Sequence, residues 1–190
     1  YGGRMSRWLK VSAAVAVGFL LLVGAALSAV YAMQPDHYRF KRSRTISARA
    51  ASIRPYLIDV RDLDRWLTDP HDPPVVTFSP VSSGVGAWIE LKNYGSWSRM
   101  TLVEIGDSWV RYTIETDGSF GVGRSTLELF VTEQASGSNE VEYVIAGELQ
   151  GVPRLLWSLV GLEDRAGPDI DKALERLARE SALEPLRVRR

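Results

Sequence analysis

The chain contains no cysteine and only two histidines, His37 and His71, in 190 residues. Without thiols there can be no disulfide, no thiolate metal site and no cysteine nucleophile, although the compartment stays open. Two histidines leave little room for an imidazole-based metal site or for a Ser–His–acid triad. Charge of one sign is also missing: 23 Lys+Arg balance 23 Asp+Glu. No basic field therefore draws the chain to nucleic acid, and no nucleic-acid partner is expected. Hydrophobic residues are plentiful at 45% against 24% charged, as in a folded chain rather than a disordered one. The length suits one domain and little more.

Between Val11 and Pro35 charge disappears altogether: VSAAVAVGFLLLVGAALSAVYAMQP. A helix crosses a bilayer with about 20 apolar residues, and Trp8 and Tyr31 stand near the two ends, where amphipathic rings favour the headgroups. The spacing predicts a membrane helix. Arg4, Arg7 and Lys10 form a positive leader, and Val30-Tyr31-Ala32 fits a small-x-small cleavage site. The apolar run nevertheless exceeds a signal core of about 7–15 residues, so an uncleaved single-pass anchor is expected. The leader YGGR before Met5 is set aside. Ala14 with Gly18, and Gly24 with Ser28, are small residues four apart that permit close approach of a partner membrane helix. Arg39, Lys41, Arg42 and Arg44 follow the run and argue by charge for a cytoplasmic domain; the basic leader argues for an exported one, since long domains escape the charge rule. The exported side is expected.

The remainder reads as α+β. Tyr38–Ala48 alternates like a strand. Ile53, Tyr56, Leu57, Val60 and Leu63 recur at helical spacing, and Pro55, which suits a first turn, divides the stretch into a helix from near Ser52 and a short one ending at Trp66. Six strand patterns follow: Val75–Ser79, Gly86–Lys92, Trp97–Ile105, Trp109–Asp117, Val122–Thr132 and Val141–Glu148. Short Gly/Asp/Asn/Ser turns join the later ones, which implies an antiparallel meander. Val110, Tyr112 and Ile114 alternate with Arg111, Thr113 and Glu115, so one face is wet and the other needs a cover. Residues 152–183 supply it. Asp169 is placed to cap a last helix after Gly167-Pro168, with Ile170, Leu174, Leu177 and Ala178 as its apolar stripe and Lys172, Glu175, Arg176, Arg179 and Glu180 in water. The organisation is a flank 1–10, an anchor 11–35, a domain 36–184 and a basic tail 185–190.

Several stretches resemble the START-like superfamily, also called SRPBCC, in its polyketide cyclase/dehydrase-like branch with an N-terminal hydrophobic segment. They are Ile46-Ser47-Ala48, Ile53-Arg-Pro-Tyr-Leu-Ile-Asp59 with Leu63-Asp-Arg-Trp66, Phe78-Ser-Pro with Ser83-Gly-Val-Gly-Ala-Trp88, and Gly167-Pro-Asp-Ile-Asp-Lys-Ala-Leu174. The similarity spans about residues 38 to 180. The chain departs from common members in having no proline after Ala48 and one tryptophan, Trp66, where two are usual. The resemblance implies a helix-grip fold, an antiparallel sheet wrapped around a long C-terminal helix, with a hydrophobic cavity. It carries over no catalytic residue.

Gly84 and Gly86 look like half of a phosphate loop, but they stand between two strands. A phosphate loop needs the helix N-terminus that follows it and a Lys-Ser/Thr pair. A hairpin that needs unusual backbone angles is the better reading. Asp69, His71 and Asp72 lie in a proline-rich loop and read as a solvated turn. Asp59, Asp62 and Asp64 read as helix-end carboxylates. Arg99, Glu104, Arg111 and Glu115 fit either cavity polar groups or cross-strand pairs on the wet face, with the second favoured for Arg111 and Glu115. The expected cavity lining is Trp88, Met100, Leu102, Tyr112, Ile114, Leu127, Leu129, Tyr143 and Ile145, joined by Trp157 from the apolar run Val152–Leu162 at the mouth. No catalytic, metal or cofactor residue is assigned. The expected function is a membrane-anchored domain that binds a lipid or other apolar molecule without catalysis. An accessory subunit of a membrane complex, docking on integral membrane partners, comes second, and a cyclase- or hydrolase-like enzyme third.

Overall fold

The computed structural model describes residues 7–33, 37–117, 123–135, 137–148 and 162–187. It divides into two compact units, Tyr1–Pro35 and Asp36–Arg190. The first holds helix α1, Arg7–Met33. Its apolar side chains stand bare: Phe19, Leu20, Leu21 and Leu22 are each about two-thirds exposed or more. Over the described residues no helix is long and apolar enough to cross a membrane.

The second unit runs β1 (His37–Ile46), α2 (Ala50–Ile58), α3 (Val60–Leu67), β2 (Val75–Phe78), β3 (Trp88–Asn93), β4 (Ser96–Ile105), β5 (Trp109–Asp117), β6 (Gly123–Glu133), β7 (Asn139–Glu148) and α4 (Leu162–Arg187). The strands form one antiparallel sheet in the order β1-β7-β6-β5-β4-β3-β2. Six of the seven strands follow one another as hairpins, and β1 closes onto β7. Its inner face carries Phe40, Ile46, Ile89, Met100, Leu102, Val110, Tyr112, Leu127, Leu129 and Val141, all in one core with Ile170, Ala173, Leu174 and Leu177 of α4. The apolar periods of two in the strands and of three to four in α4 thus meet in one layer. This is the helix-grip arrangement.

The helical boundaries differ from expectation. α2 begins at Ala50, so Pro55 lies inside it. The proline withholds its N–H from the Ala51 carbonyl, but Ala51 is exposed and water serves that oxygen. The break falls at Asp59, whose N–H bonds to the Pro55 carbonyl at 2.9 Å while its carboxylate accepts from the Arg61 N–H at 2.9 Å and the Ser82 hydroxyl at 2.8 Å. Gly167-Pro168 does not separate two segments: α4 passes straight through it, Asp169 is not a cap, and the helix continues to Arg187 into the expected tail. Asp164, the residue four before Pro168, is exposed, so its carbonyl too is left to solvent. Gly84 and Gly86 both hold φ +92, and the Gly86 N–H reaches the Leu102 carbonyl at 2.8 Å. They are backbone pivots between β2 and β3, as a hairpin requires.

Arg176 is not simply wet. Its guanidinium donates to the carbonyls of Trp66 at 2.9 Å and Leu67 at 3.2 Å, the orphan acceptors at the C-terminus of α3. Replacing it with alanine is expected to lower the domain's stability by about 2 kcal/mol, because two charge-assisted bonds vanish and the helix end loses its partner. Denaturant unfolding of Arg176→Ala against the parent measures this. An unchanged midpoint would show that water replaces the guanidinium at no cost.

Candidate functional site

An open-mouthed cavity of about 270 Å³ lies between the sheet and α4. Tyr38 and Phe40 of β1, Tyr143 and Ile145 of β7, Leu67 at the end of α3, and Ala166, Asp169, Ile170 and Ala173 of α4 line it. The strand alternation that buries Phe40 also turns Tyr38 inward, and the pairing of Phe40 with Ile145 brings β1 and β7 into register there.

The expected lining separates into four groups. Tyr143 and Ile145 do line this cavity. Met100, Leu102, Tyr112, Ile114, Leu127 and Leu129 are at most 8% exposed and pack the core instead. Trp88 corrects the reading: it pairs with Thr101 while its neighbour Ile89 is buried against Met100, so it stands on the outer face, where the Arg99 guanidinium stacks 4.6 Å from its ring. Trp157, with the rest of residues 152–161, lies outside the described residues. Sequence reasoning missed Tyr38, Phe40, Leu67 and Asp169. Tyr38 and Phe40 were legible as one side of the β1 alternation; Leu67 and Asp169 reach the cavity only through the crossing of α3 and α4.

The charged candidates belong to the outer face. Arg99 meets Glu90 at 2.6 Å, Arg111 meets Glu104 at 2.6 Å and Glu128 at 2.9 Å, and Arg124 meets Glu115 at 2.7 Å. These are cross-strand pairs along two rungs of the sheet. Lys92 and Arg99 hold the Glu90 carboxyl below the usual carboxylate range. Asp69 accepts from the His71 N–H at 2.9 Å, which lowers its pKa, and Asp72 accepts from the Tyr94 hydroxyl at 3.2 Å. Asp62 pairs with Arg65 at 3.1 Å, and the Thr68 hydroxyl lies 2.9 Å from the Asp64 carbonyl and 3.1 Å from its carboxylate. Among the described residues no three carboxylates or imidazoles come together. A second, wider concavity of about 960 Å³ opens beside the ends of β1, β7 and β6, with Arg39, Glu115, Arg124 and Glu148 among its walls. Its charged, open lining suits solvent better than an apolar ligand.

Tyr38 is a wall common to both spaces. Its ring crosses Gly147, with which it pairs in register, as does Ser125 from the other side. Burial raises the Tyr38 pKa and a hydrogen bond with Ser125 opposes the rise. Burial, and secondarily the nearby Tyr38, push Tyr143 well above its ordinary value near 10. Both phenols therefore stay neutral at physiological pH. A raised folded-state pKa favours the protonated form, so this stabilisation is complete below pH 10 and is lost as pH rises past it. Unfolding experiments from pH 8 to 12 are expected to show stability falling from about pH 10, with a shallower fall in Tyr143→Phe. A methyl group at position 147 would lie 2.7 Å from the Tyr38 hydroxyl and 2.8 Å from the Ser125 Cβ. Gly147→Ala is therefore expected to displace Tyr38 and lower the melting temperature by several degrees, as strained core substitutions cost about 1–3 kcal/mol; calorimetry checks it, and an unchanged transition would mean the ring moves freely.

No curated protein matches the sequence. Solved structures share the fold at low identity. A conserved protein of Geobacillus kaustophilus is 11% identical with a TM-score of 0.61, covering 76% of this chain and 95% of its own. Norcoclaurine synthase of Thalictrum flavum, a point mutant in complex with a transition-state analogue, is 10% identical with a TM-score of 0.59, covering 78% and 96%. A protein from Rhizobium loti is 18% identical with a TM-score of 0.54, covering 76% and 96%. The model of one family, polyketide cyclase / dehydrase and lipid transport, matches residues 37–182. With most of its length, from β1 through most of α4, inside that match, the chain belongs to the polyketide cyclase/dehydrase and lipid transport family.

Proposed function

We propose that this protein is a membrane-moored binding domain that holds a small apolar molecule between its sheet and α4, without transforming it. The observation that carries the reading is the cavity itself: apolar walls from β1, β7 and α4, with two neutral phenols and one carboxylate as its titratable groups. Family membership supports it, since the family's description includes lipid transport. An enzymatic reading has norcoclaurine synthase as a neighbour of the same fold, but a fold hosts many functions. Catalysis of acyl or proton transfer asks for a nucleophile or base held by a second group. Among the described cavity residues Asp169 is the single carboxylate, and it is 80% exposed and turned to Lys172 at 3.4 Å.

The mooring rests on α1. Val11–Pro35 carries no charge, and α1 leaves apolar side chains from Val15 to Leu22 bare on every side, a surface that water disfavours and lipid or a partner helix accepts. The Ser28 hydroxyl donates to the Gly24 carbonyl one turn back at 2.8 Å, so its polar group is satisfied within the helix. The basic leader supports an exported domain in this reading. An integral membrane partner packed on the small residues of α1 would make the protein a subunit of a larger assembly.

Membranes washed at high salt and alkaline pH are expected to retain the full chain. Native mass spectrometry of the chain released from them is expected to show a bound small molecule. A chain that washes off removes the mooring, and a retained chain that is ligand-free in every preparation removes the binding function. A mass equal to the chain plus other polypeptides would favour the subunit reading.

A further inference from the structure

Tyr143 is 6% exposed, and its hydroxyl makes no hydrogen bond with any described residue. A buried polar group left unpaired costs about 1–3 kcal/mol, so a phenol in this position calls for an explanation. Its oxygen is not sealed in. Among the described residues the enclosed, unpartnered side-chain atoms are Arg42 Nε and Asn139 Oδ1. The phenol oxygen thus keeps access to open space, and the open space against Tyr143 is the cavity.

The surrounding charges narrow what can sit there. Arg42, the cross-strand partner of Tyr143, lies against Gly167 of α4 and is paired with Glu163 at 3.5 Å. No cation is among the cavity's described walls, whereas Asp169 stands at the rim. Among the described walls an anionic headgroup would lose its hydration without a cation lining the space and would meet a carboxylate. The other phenol, Tyr38, has Ser125 as a side-chain partner. The space of about 270 Å³ equals roughly nine waters at about 30 Å³ each, the scale of a one- or two-ring molecule rather than a whole phospholipid.

We propose that the cavity selects an uncharged, ring-sized apolar molecule bearing a hydrogen-bond-accepting oxygen, and that the Tyr143 O–H donates to that oxygen. The proposal rests on the cavity-binding reading above and adds to it the chemical class of ligand and the residue that recognises it. Binding supplies the partner the phenol lacks, so the hydroxyl's cost in the empty protein becomes selectivity in the filled one.

The test is calorimetric titration of the full chain in lipid nanodiscs, corrected against empty discs, with three probes of one ring system: 2-acetylnaphthalene, naphthalene and 2-naphthoate. The ketone is expected to bind about fivefold to tenfold more tightly than naphthalene, the worth of one good hydrogen bond, and naphthoate more weakly than either. Tyr143→Phe should erase the ketone's advantage and leave naphthalene unchanged. Its melting temperature without ligand should hold or rise, since only an unpaired hydroxyl is lost. Naphthoate binding as tightly as the ketone, a ketone preference that survives in Tyr143→Phe, or a marked loss of stability in that variant would overturn the assignment while the cavity reading stands. Failure of all three probes to bind would overturn both.

Discussion

The domain depends on four side chains that donate into the backbone of its helices. Trp66 gives its indole N–H to the Tyr56 carbonyl at 2.9 Å, Tyr112 its hydroxyl to the Leu57 carbonyl at 2.8 Å, and Arg176 its guanidinium to Trp66 and Leu67. Tyr56 in turn donates to the Glu180 carbonyl of α4 at 3.1 Å. α2 and α3 are too short to be stable alone, and the end of each leaves carbonyls without helical partners. These bonds satisfy acceptors in both short helices while tying sheet, helix pair and α4 together. Trp66 and Tyr112 are wholly buried, so each bond also answers for a polar group that would otherwise be stranded.

The clamp fixes α4 at the end near α3 and α2, through Leu174, Leu177 and Arg176. At the other end Arg42 of β1 holds α4 through a partly hydrated contact, lying against Gly167 and pairing with Glu163 at 3.5 Å. The cavity lies between β1, β7 and the Ala166–Ala173 stretch of α4. A sheet with right-handed twist does not follow a straight helix along its whole length, so the same α4 face both packs the core and borders the cavity, through Ile170 and Ala173. Tyr38 and Tyr143 mark where side chains stop filling that space.

The outer face shows the opposite economy. Its rungs alternate acid and base, Glu90–Arg99–Glu115–Arg124 and Glu104–Arg111–Glu128, with Trp88 and Trp109 stacked under Arg99 and Arg111. Exposed pairs of this kind add little stability each. They cover aromatic surface and set strand register, since a slip of one residue would carry these charges into the core.

What the sequence by itself determined was the part governed by local period: the strand runs, the apolar stripe of α4, the uncharged run of α1, the helix-grip class through its ordered motifs, and the wet face bearing Arg111 and Glu115. These are properties of spacing along the chain, and spacing is what a sequence records. Tertiary structure alone decided which inward-facing residues fill the core and which border a space. Met100, Leu102 and Tyr143 read alike in the alternation, yet two are packed solid and one faces a cavity, because that depends on how far α4 stands from each strand. It also decided that Trp88 faces outward, since the turn through Gly84 and Gly86 sets the phase of β3, and that α4 runs unbroken through Gly167-Pro168, since the carbonyl left without a partner falls on the solvent side.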